Sequence, residues 1–337
     1  MDLNPSPEQQ QLVDAYSALY AKESSPQRVR AAEATGHDPE LWARLLATGV
    51  LEMAVGEGSG GWGATLLDLA LVAEQHGRHL GAAPLLEAQV AARLLERVGT
   101  PEATALLARA VAGDELVTVA LHGPADGVLR LVPAGAAASR VVYVDAGRLC
   151  SVATAGRTAV TNLGSLPLAD VPVAGAEVLA AGDAALEAHE VALDEWMALM
   201  ANATTGLAAR ALEMGVAYAK ERQAFGVPIG SFQAVAHGLA DAATAVDGST
   251  LLAREAAWAA GEEPGRAREL AALAFGFGAE TARQAAYRSL HYHGGYGFML
   301  EHDVQLYFRR ATAWPAQYAE PDVAYARAAA WRLGMGV

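Results

Sequence analysis

The order of residue textures along this chain limits its fold more than any single motif does. From Pro7 to Ala112 apolar residues return at helical spacing, from Leu116 to Leu163 they sit in short β-branched runs cut by Gly, Pro, Asp or Asn, and from Ala185 onward the helical spacing resumes. Helices, then strands, then helices is an α+β layout, because a parallel α/β sheet would need strands and helices in alternation. We therefore expect a mainly α chain with a small antiparallel β domain. Its expected parts are an N-terminal helical domain over 1–114, a reduced β domain over 115–183 and a C-terminal helical bundle over 184–337.

Local signals place the elements. Ser6 can cap a first helix, with Pro7 in its first turn and Leu12, Tyr16, Leu19 and Tyr20 on one face. Asp38-Pro39 opens another, with Trp42, Leu45 and Leu46 apolar and Gly49 placed to end it. Further helices are predicted over 66–76, 84–98, 101–112, 185–222, 232–260, 264–290 and 301–313, and strands over 116–121, 128–132, 140–144, 148–152 and 158–163. The run from Gly56 to Gly63 is too glycine-rich for either, and its spacing fits neither a dinucleotide fingerprint nor a phosphate loop.

Composition removes several classes of function. Hydrophobic residues make up 53% of the 337, yet no apolar run nears the roughly 20 residues that cross a bilayer, and the N-terminus has no export pattern. A cytoplasmic chain without a membrane span is expected. A formal charge of −14 argues against a nucleic-acid partner. The single Cys150 excludes an intrachain disulfide and a thiolate metal cluster, and reads as a packed thiol; no metal site is expected.

The stretch His291-Tyr292-His293-Gly294-Gly295-Tyr296-Gly297-Phe298 interrupts the helical texture. Glycine inside a helix costs about 1 kcal/mol relative to alanine, so the turn is either a helix C-cap with a tight connector or a place where backbone approaches a ligand. A second turn, Arg222-Gln223-Ala224-Phe225-Gly226, ends one long predicted helix, and Ser231-Phe232-Gln233 begins the next.

Here the sequence resembles the acyl-CoA dehydrogenases, in which an Arg-x-x-Phe-Gly turn leads to a Gln-rich helix start. The glycine turn followed by Tyr307-Phe308-Arg309-Arg310-Ala311 is similar to that family's second motif, and Leu41-Trp42, the loop through Gly63 and Glu74-Gln75-His76-Gly77-Arg78 are similar to its N-terminal domain. The resemblance covers nearly the whole chain. It implies an N-terminal helical domain, a β domain, a C-terminal four-helix bundle, and FAD held at a subunit interface. It further implies that Arg222, Phe225, Phe232, Gln233, His291, His293, Gly294 and Gly295 face the ADP part of an FAD whose flavin sits mainly in a neighbouring subunit. The chemistry agrees, since a guanidinium fork suits phosphate oxygens and exposed backbone N–H groups suit a phosphate or ribose. His291 stands where many relatives have Gln.

The departures from the pattern are informative. The reaction removes an α-proton while a β-hydride passes to the flavin, and that needs a positioned base. Relatives place the carboxylate either after the Arg-x-Ala stretch, which falls here at Tyr318, or on the helix before the Arg-x-x-Phe-Gly turn, which falls at Trp196. Neither is a carboxylate; Glu320 and Glu195 lie one or two residues away. The β domain is short, with His122-Gly123-Pro124-Ala125-Asp126-Gly127 and Val160-Thr161-Asn162 in place of the family's flavin-touching loops. No catalytic residue is therefore expected in this chain. It is expected to act on an acyl-CoA, a steroid side-chain CoA by resemblance, as one partner of an α2β2 heteromer. A homologous subunit would supply the base and an electron-transfer flavoprotein would accept the electrons. Two alternatives stay open: a self-sufficient homotetramer using Glu320, and a flavin-free helical scaffold.

Overall fold

The computed structural model describes residues 3–154 and 156–334. Its elements run α1 (Pro7–Glu23), α2 (Pro26–Ala31), α3 (Pro39–Leu46), α4 (Leu66–Arg78), α5 (Leu85–Val98), α6 (Pro101–Val111), β1 (Val117–Val119), β2 (Val128–Val132), β3 (Arg140–Asp145), β4 (Arg148–Ala153), β5 (Ala169–Pro172), β6 (Glu177–Ala181), α7 (Asp183–Glu221), β7 (Gln223–Ala224), β8 (Val227–Pro228), α8 (Gln233–Glu262), α9 (Pro264–Tyr292), α10 (Val304–Ala313) and α11 (Pro321–Arg332). The helix–strand–helix order expected from the sequence is present. The chain divides into two compact units, one of Met1–Pro26, Ala70–Gly81 and Met197–Val337, the other of Gln27–Leu69 and Ala82–Trp196, so both α4 and α7 are shared between units.

The unit built on Gln27–Leu69 and Ala82–Trp196 holds strands β1 to β6, while the β7–β8 hairpin lies in the other unit. β1, β3, β4 and β6 form one sheet in that order, and β2 pairs with β5. Every pair is antiparallel except β1 with β3, which run parallel because a full turn of chain and β2 intervene. Leu129, Val132, Val141, Tyr143, Cys150, Val152 and Val171 pack into the core of this unit. Cys150 is a buried thiol with its pKa raised by burial, as the packed reading requires. The strand expected over 158–163 is absent. Residues 156–168 form a loop that the Asn162 side chain holds, donating to the carbonyls of Val160 and Leu166 and accepting from the N–H groups of Gly164 and Leu166. A side chain that offers the backbone these partners competes with a sheet ladder.

In the other unit α8 and α9 lie side by side, and α10 and α11 pack on α9. Small residues set how closely these helices approach. A Cβ on Gly77 would overlap the carbonyl of Ala203, and one on Gly206 would overlap that of Glu74, so α4 and the second half of α7 meet backbone to backbone. Gly276 gives room to the ring of Tyr325. Much of the alanine seen in the sequence lies here: Ala271, Ala272, Ala274, Ala282, Ala285 and Ala286 are all buried along α9. Near the N-terminus Ser6 caps α1 with a full capping box, and Asp38 caps α3, as predicted. In α3 Leu45 is buried as expected, but its buried companion is Leu41, while Trp42 and Leu46 are half-buried. Helices α2 and α11 were not expected; α11 begins at Pro321 without a side-chain cap and is rich in alanine, so it carries little apolar periodicity.

Candidate functional site

Three helix ends come together in the bundle unit. The ring of Tyr218, in the last turn of α7, stacks on His293, just past α9, with centroids 4.2 Å apart. The Tyr292 hydroxyl donates to the carbonyl of Ala234 in the first turn of α8 at 3.3 Å, and Arg288 of α9 donates to the Gly238 carbonyl at 2.6 Å. These contacts bring the Arg222 turn, the start of α8 and the glycine turn to one end of the bundle. Residues separated by some 70 positions in sequence thus share one surface.

Arg222 follows α7 directly and is exposed, its N–H bonded to the Tyr218 carbonyl at 2.8 Å. Phe225 and Gly226 then form the tip of a two-residue hairpin joining β7 to β8, with φ of 53° and 80°. Positive φ at both tip residues matches the twist of a tight hairpin, but it is strained for phenylalanine. Phe225 is 97% exposed, its ring edge-on to Phe232 at 6.2 Å, and Phe232 immediately precedes α8. Gln233 is the exposed first residue of α8.

The glycine turn is a short 3-10 segment over Gly294–Phe298. Gly294 takes φ of 63°, and a Cβ on either Gly294 or Gly295 would meet no protein atom within 4 Å. Both glycines are exposed. Gly297 differs, because a Cβ there would stand 2.6 Å from the Leu290 carbonyl and 2.9 Å from the His293 Cβ. Of the two histidines in the turn, His291 is exposed and lies beside Tyr287 with centroids 5.9 Å apart, whereas His293 is 6% exposed. Its Nδ1 donates to the Ser289 carbonyl at 2.7 Å, and burial holds its pKa below the usual histidine value. Sequence reading had singled out neither Tyr218 nor His302, whose ring lies 4.5 Å from His293. An aromatic residue one helical turn before Arg222 was the available signal for the first.

The positions where a base would be expected hold no exposed carboxylate. Trp196 is fully buried, its Nε1 donating to Glu87 Oε1 at 3.3 Å, and burial raises the Glu87 pKa. Glu195 receives Arg93 at 2.9 Å and Arg97 at 2.6 Å. Burial alone would raise its carboxyl, but the two arginines outweigh that and hold it below the ordinary value. Tyr318 packs edge-on against Phe275 at 5.8 Å, and Glu320 is exposed at the start of α11, 3.5 Å from Arg283. In the strand unit, Asp126 and Gly127 close a tight turn on themselves, with Ala125 and Val128 exchanging backbone hydrogen bonds of 3.0 Å. Among the described residues there is no cluster able to hold a metal ion, and no helix is long and apolar enough to cross a membrane.

A helical start, a short sheet and a helical bundle are the architecture of the acyl-CoA dehydrogenase-like flavoproteins. The acyl-CoA dehydrogenase N-terminal domain matches residues 6–114 and the acyl-CoA dehydrogenase C-terminal domain matches residues 188–315; the chain belongs to the acyl-CoA dehydrogenase family, whose cofactor is FAD. It is 33% identical over 316 residues to acyl-CoA dehydrogenase IpdE2 of Mycobacterium tuberculosis, covering 92% of each chain. It is also 32% identical over 315 residues to acyl-CoA dehydrogenase FadE27 of that organism, covering 81% of this chain and 83% of the relative. Among solved structures it is similar to the Tcur3481-Tcur3483 steroid ACAD, with a TM-score of 0.87 and 26% identity over 97% of this chain and 98% of that one. The ChsE4-ChsE5 complex from Mycobacterium tuberculosis gives a TM-score of 0.83 and 29% identity over 99% and 98%.

Proposed function

We propose that this chain is the non-catalytic partner in a heteromeric acyl-CoA dehydrogenase, binding the ADP part of an FAD whose flavin is seated in a homologous subunit. The observation that carries this reading is an asymmetry. The arginine turn and the bare glycine backbone remain exposed, while Trp196 and Tyr318 stand where a base belongs and Glu195 is tied to two arginines. Glu195 is buried, and both arginines bond its Oε1, which holds the carboxylate in an ion pair away from solvent.

The residues present fit the cofactor's anionic half. Arg222 offers a planar charged fork to the pyrophosphate, Gly294 and Gly295 let N–H groups approach it closely, and Phe225 and Phe232, edge-on to one another, add exposed aromatic rings next to the arginine turn. His291 and Gln233 add side-chain hydrogen bonding from the two flanking helix ends. When bound, FAD supplies the hydride acceptor. The α-proton is taken by the partner's carboxylate, because this chain presents none at either position.

The similarity to the steroid ACAD and to the ChsE4-ChsE5 complex supports an α2β2 assembly and a steroid side-chain CoA as the substrate class. An electron-transfer flavoprotein is the acceptor we assign, and the cytoplasm the compartment. We also retain the three-part division at 114/115 and 183/184 as the functional one, with the first and last parts close to the family-matched segments.

The test is to purify the chain alone and with a homologous acyl-CoA dehydrogenase chain from the same genome, counting flavin by absorbance and weighing the assembly. The expected result is a colourless chain alone and about one FAD per heterodimer in the complex. One FAD per chain in a homotetramer, or loss of turnover on Glu320→Gln, would restore the self-sufficient enzyme.

A further inference from the structure

Four aromatic rings join the two halves of the cofactor surface. Tyr218 stacks on His293 at 4.2 Å and 27°, His293 meets His302 at 4.5 Å, and His302 meets Tyr296 edge-on at 4.6 Å. The ladder starts one helical turn before Arg222 and ends inside the glycine turn. Tyr218 is also tied to Arg222 directly, since its carbonyl accepts the Arg222 N–H at 2.8 Å.

The hydrogen bonds fix how the two central rings stand. A carbonyl can only accept, so His293 carries its proton on Nδ1 where it meets Ser289 at 2.7 Å. His302 is arranged the opposite way, its Nδ1 accepting the Val304 N–H at 3.1 Å. Each ring is therefore anchored to backbone on one edge, His293 to α9 and His302 to the start of α10. Gly215, whose added Cβ would stand 3.0–3.2 Å from Ser289, lets α7 come close enough to α9 for the Tyr218 ring to reach His293.

We infer that Tyr218, His293 and His302 are positioning residues for FAD, the ring ladder setting the separation between the Arg222 guanidinium and the Gly294–Gly295 backbone. This rests on the cofactor half-site proposed above and assigns His293 a supporting part, its ring being consumed by the stack. A loosened ladder leaves Arg222 and the glycine turn both present but no longer able to meet one pyrophosphate together.

The experiment measures FAD affinity of the deflavinated heteromeric complex by fluorescence titration, at a temperature where circular dichroism finds every variant folded. His302→Asn keeps an acceptor for the Val304 N–H but removes the ring; His302→Phe keeps the ring and removes the acceptor. The ladder requires the first to weaken FAD by roughly tenfold or more, about one lost charge-assisted contact, and the second to stay near wild type. Tyr218→Leu is expected to weaken it likewise and Tyr218→Phe to retain it, so a folding failure at one site leaves the other informative. Wild-type affinity in His302→Asn and Tyr218→Leu, or a greater loss in His302→Phe than in His302→Asn, overturns the ladder. Arg222→Ala separates the two levels: if it leaves affinity unchanged, the half-site itself is wrong, and if it alone weakens FAD, only the ladder is.

Discussion

Arg222 has a solvated guanidinium and opens no core when truncated, so its removal isolates binding from folding. Arg222→Ala is expected to keep the unfolding temperature and to weaken FAD in the complex by about ten- to a hundredfold, the worth of a charge-assisted hydrogen bond. The glycines separate in the opposite sense. Gly297→Val should destabilise the fold by about 1–3 kcal/mol, since its Cβ would press on the Leu290 carbonyl, whereas Gly295→Val has open space and should act on FAD alone. Thermal unfolding and flavin titration on both variants check the pair. The sequence made this turn visible as glycine density, and family likeness assigned it to a cofactor. Which glycine serves packing and which serves approach was not legible there, because Leu290 and His293 reach Gly297 only once α9 has ended and the chain has turned back.

At the scale of elements, α5 and the first half of α7 are joined by two buried polar contacts with opposite pH behaviour. Glu195 has a folded pKa below its ordinary 4.5, so its contribution is complete above about pH 4.5 and fades as pH falls further. Glu195→Ala would leave Arg93 and Arg97 facing a void and should cost about 3–5 kcal/mol at neutral pH, read by urea unfolding. Glu87 is shifted up by burial, so the unfolded carboxyl loses its proton first and stability falls as pH rises through that window. Glu87→Gln keeps an acceptor for the Trp196 Nε1 and should raise the melting temperature at pH 7. Apart from α2 and α11, helix identities were legible from spacing, and most ends fell within a few residues, because caps and prolines mark them. β5 and β6 were not, since Asp170, Pro172 and the exposed Glu177 and Val178 hide a strand alternation that only the neighbouring strands complete.

For the molecule as a whole, the helix–strand–helix order and the family were readable, whereas the division of the chain into units was not. No composition break marks residue 196 or 69, since both lie inside helices whose two halves pack into different units. The buried His76, bonded through Nδ1 to the Tyr20 hydroxyl at 2.9 Å, makes the stability of the bundle unit depend on pH. Burial lowers its pKa from 6.5 to about 3, so the unfolded chain takes up a proton that the folded chain refuses, and stability should decline as pH falls from 6.5 toward 3. His76→Gln should flatten that slope in urea-midpoint measurements across the range. Phe225, finally, is almost wholly in water at the tip of a strained hairpin, with Tyr296, Phe298, Met299 and Leu300 also exposed in and after the glycine turn. In the heteromer proposed above, a copy made before its counterpart would leave this apolar surface open to chaperones and proteases. For that heteromer, matched synthesis of the two polypeptides would shorten the time these rings spend uncovered.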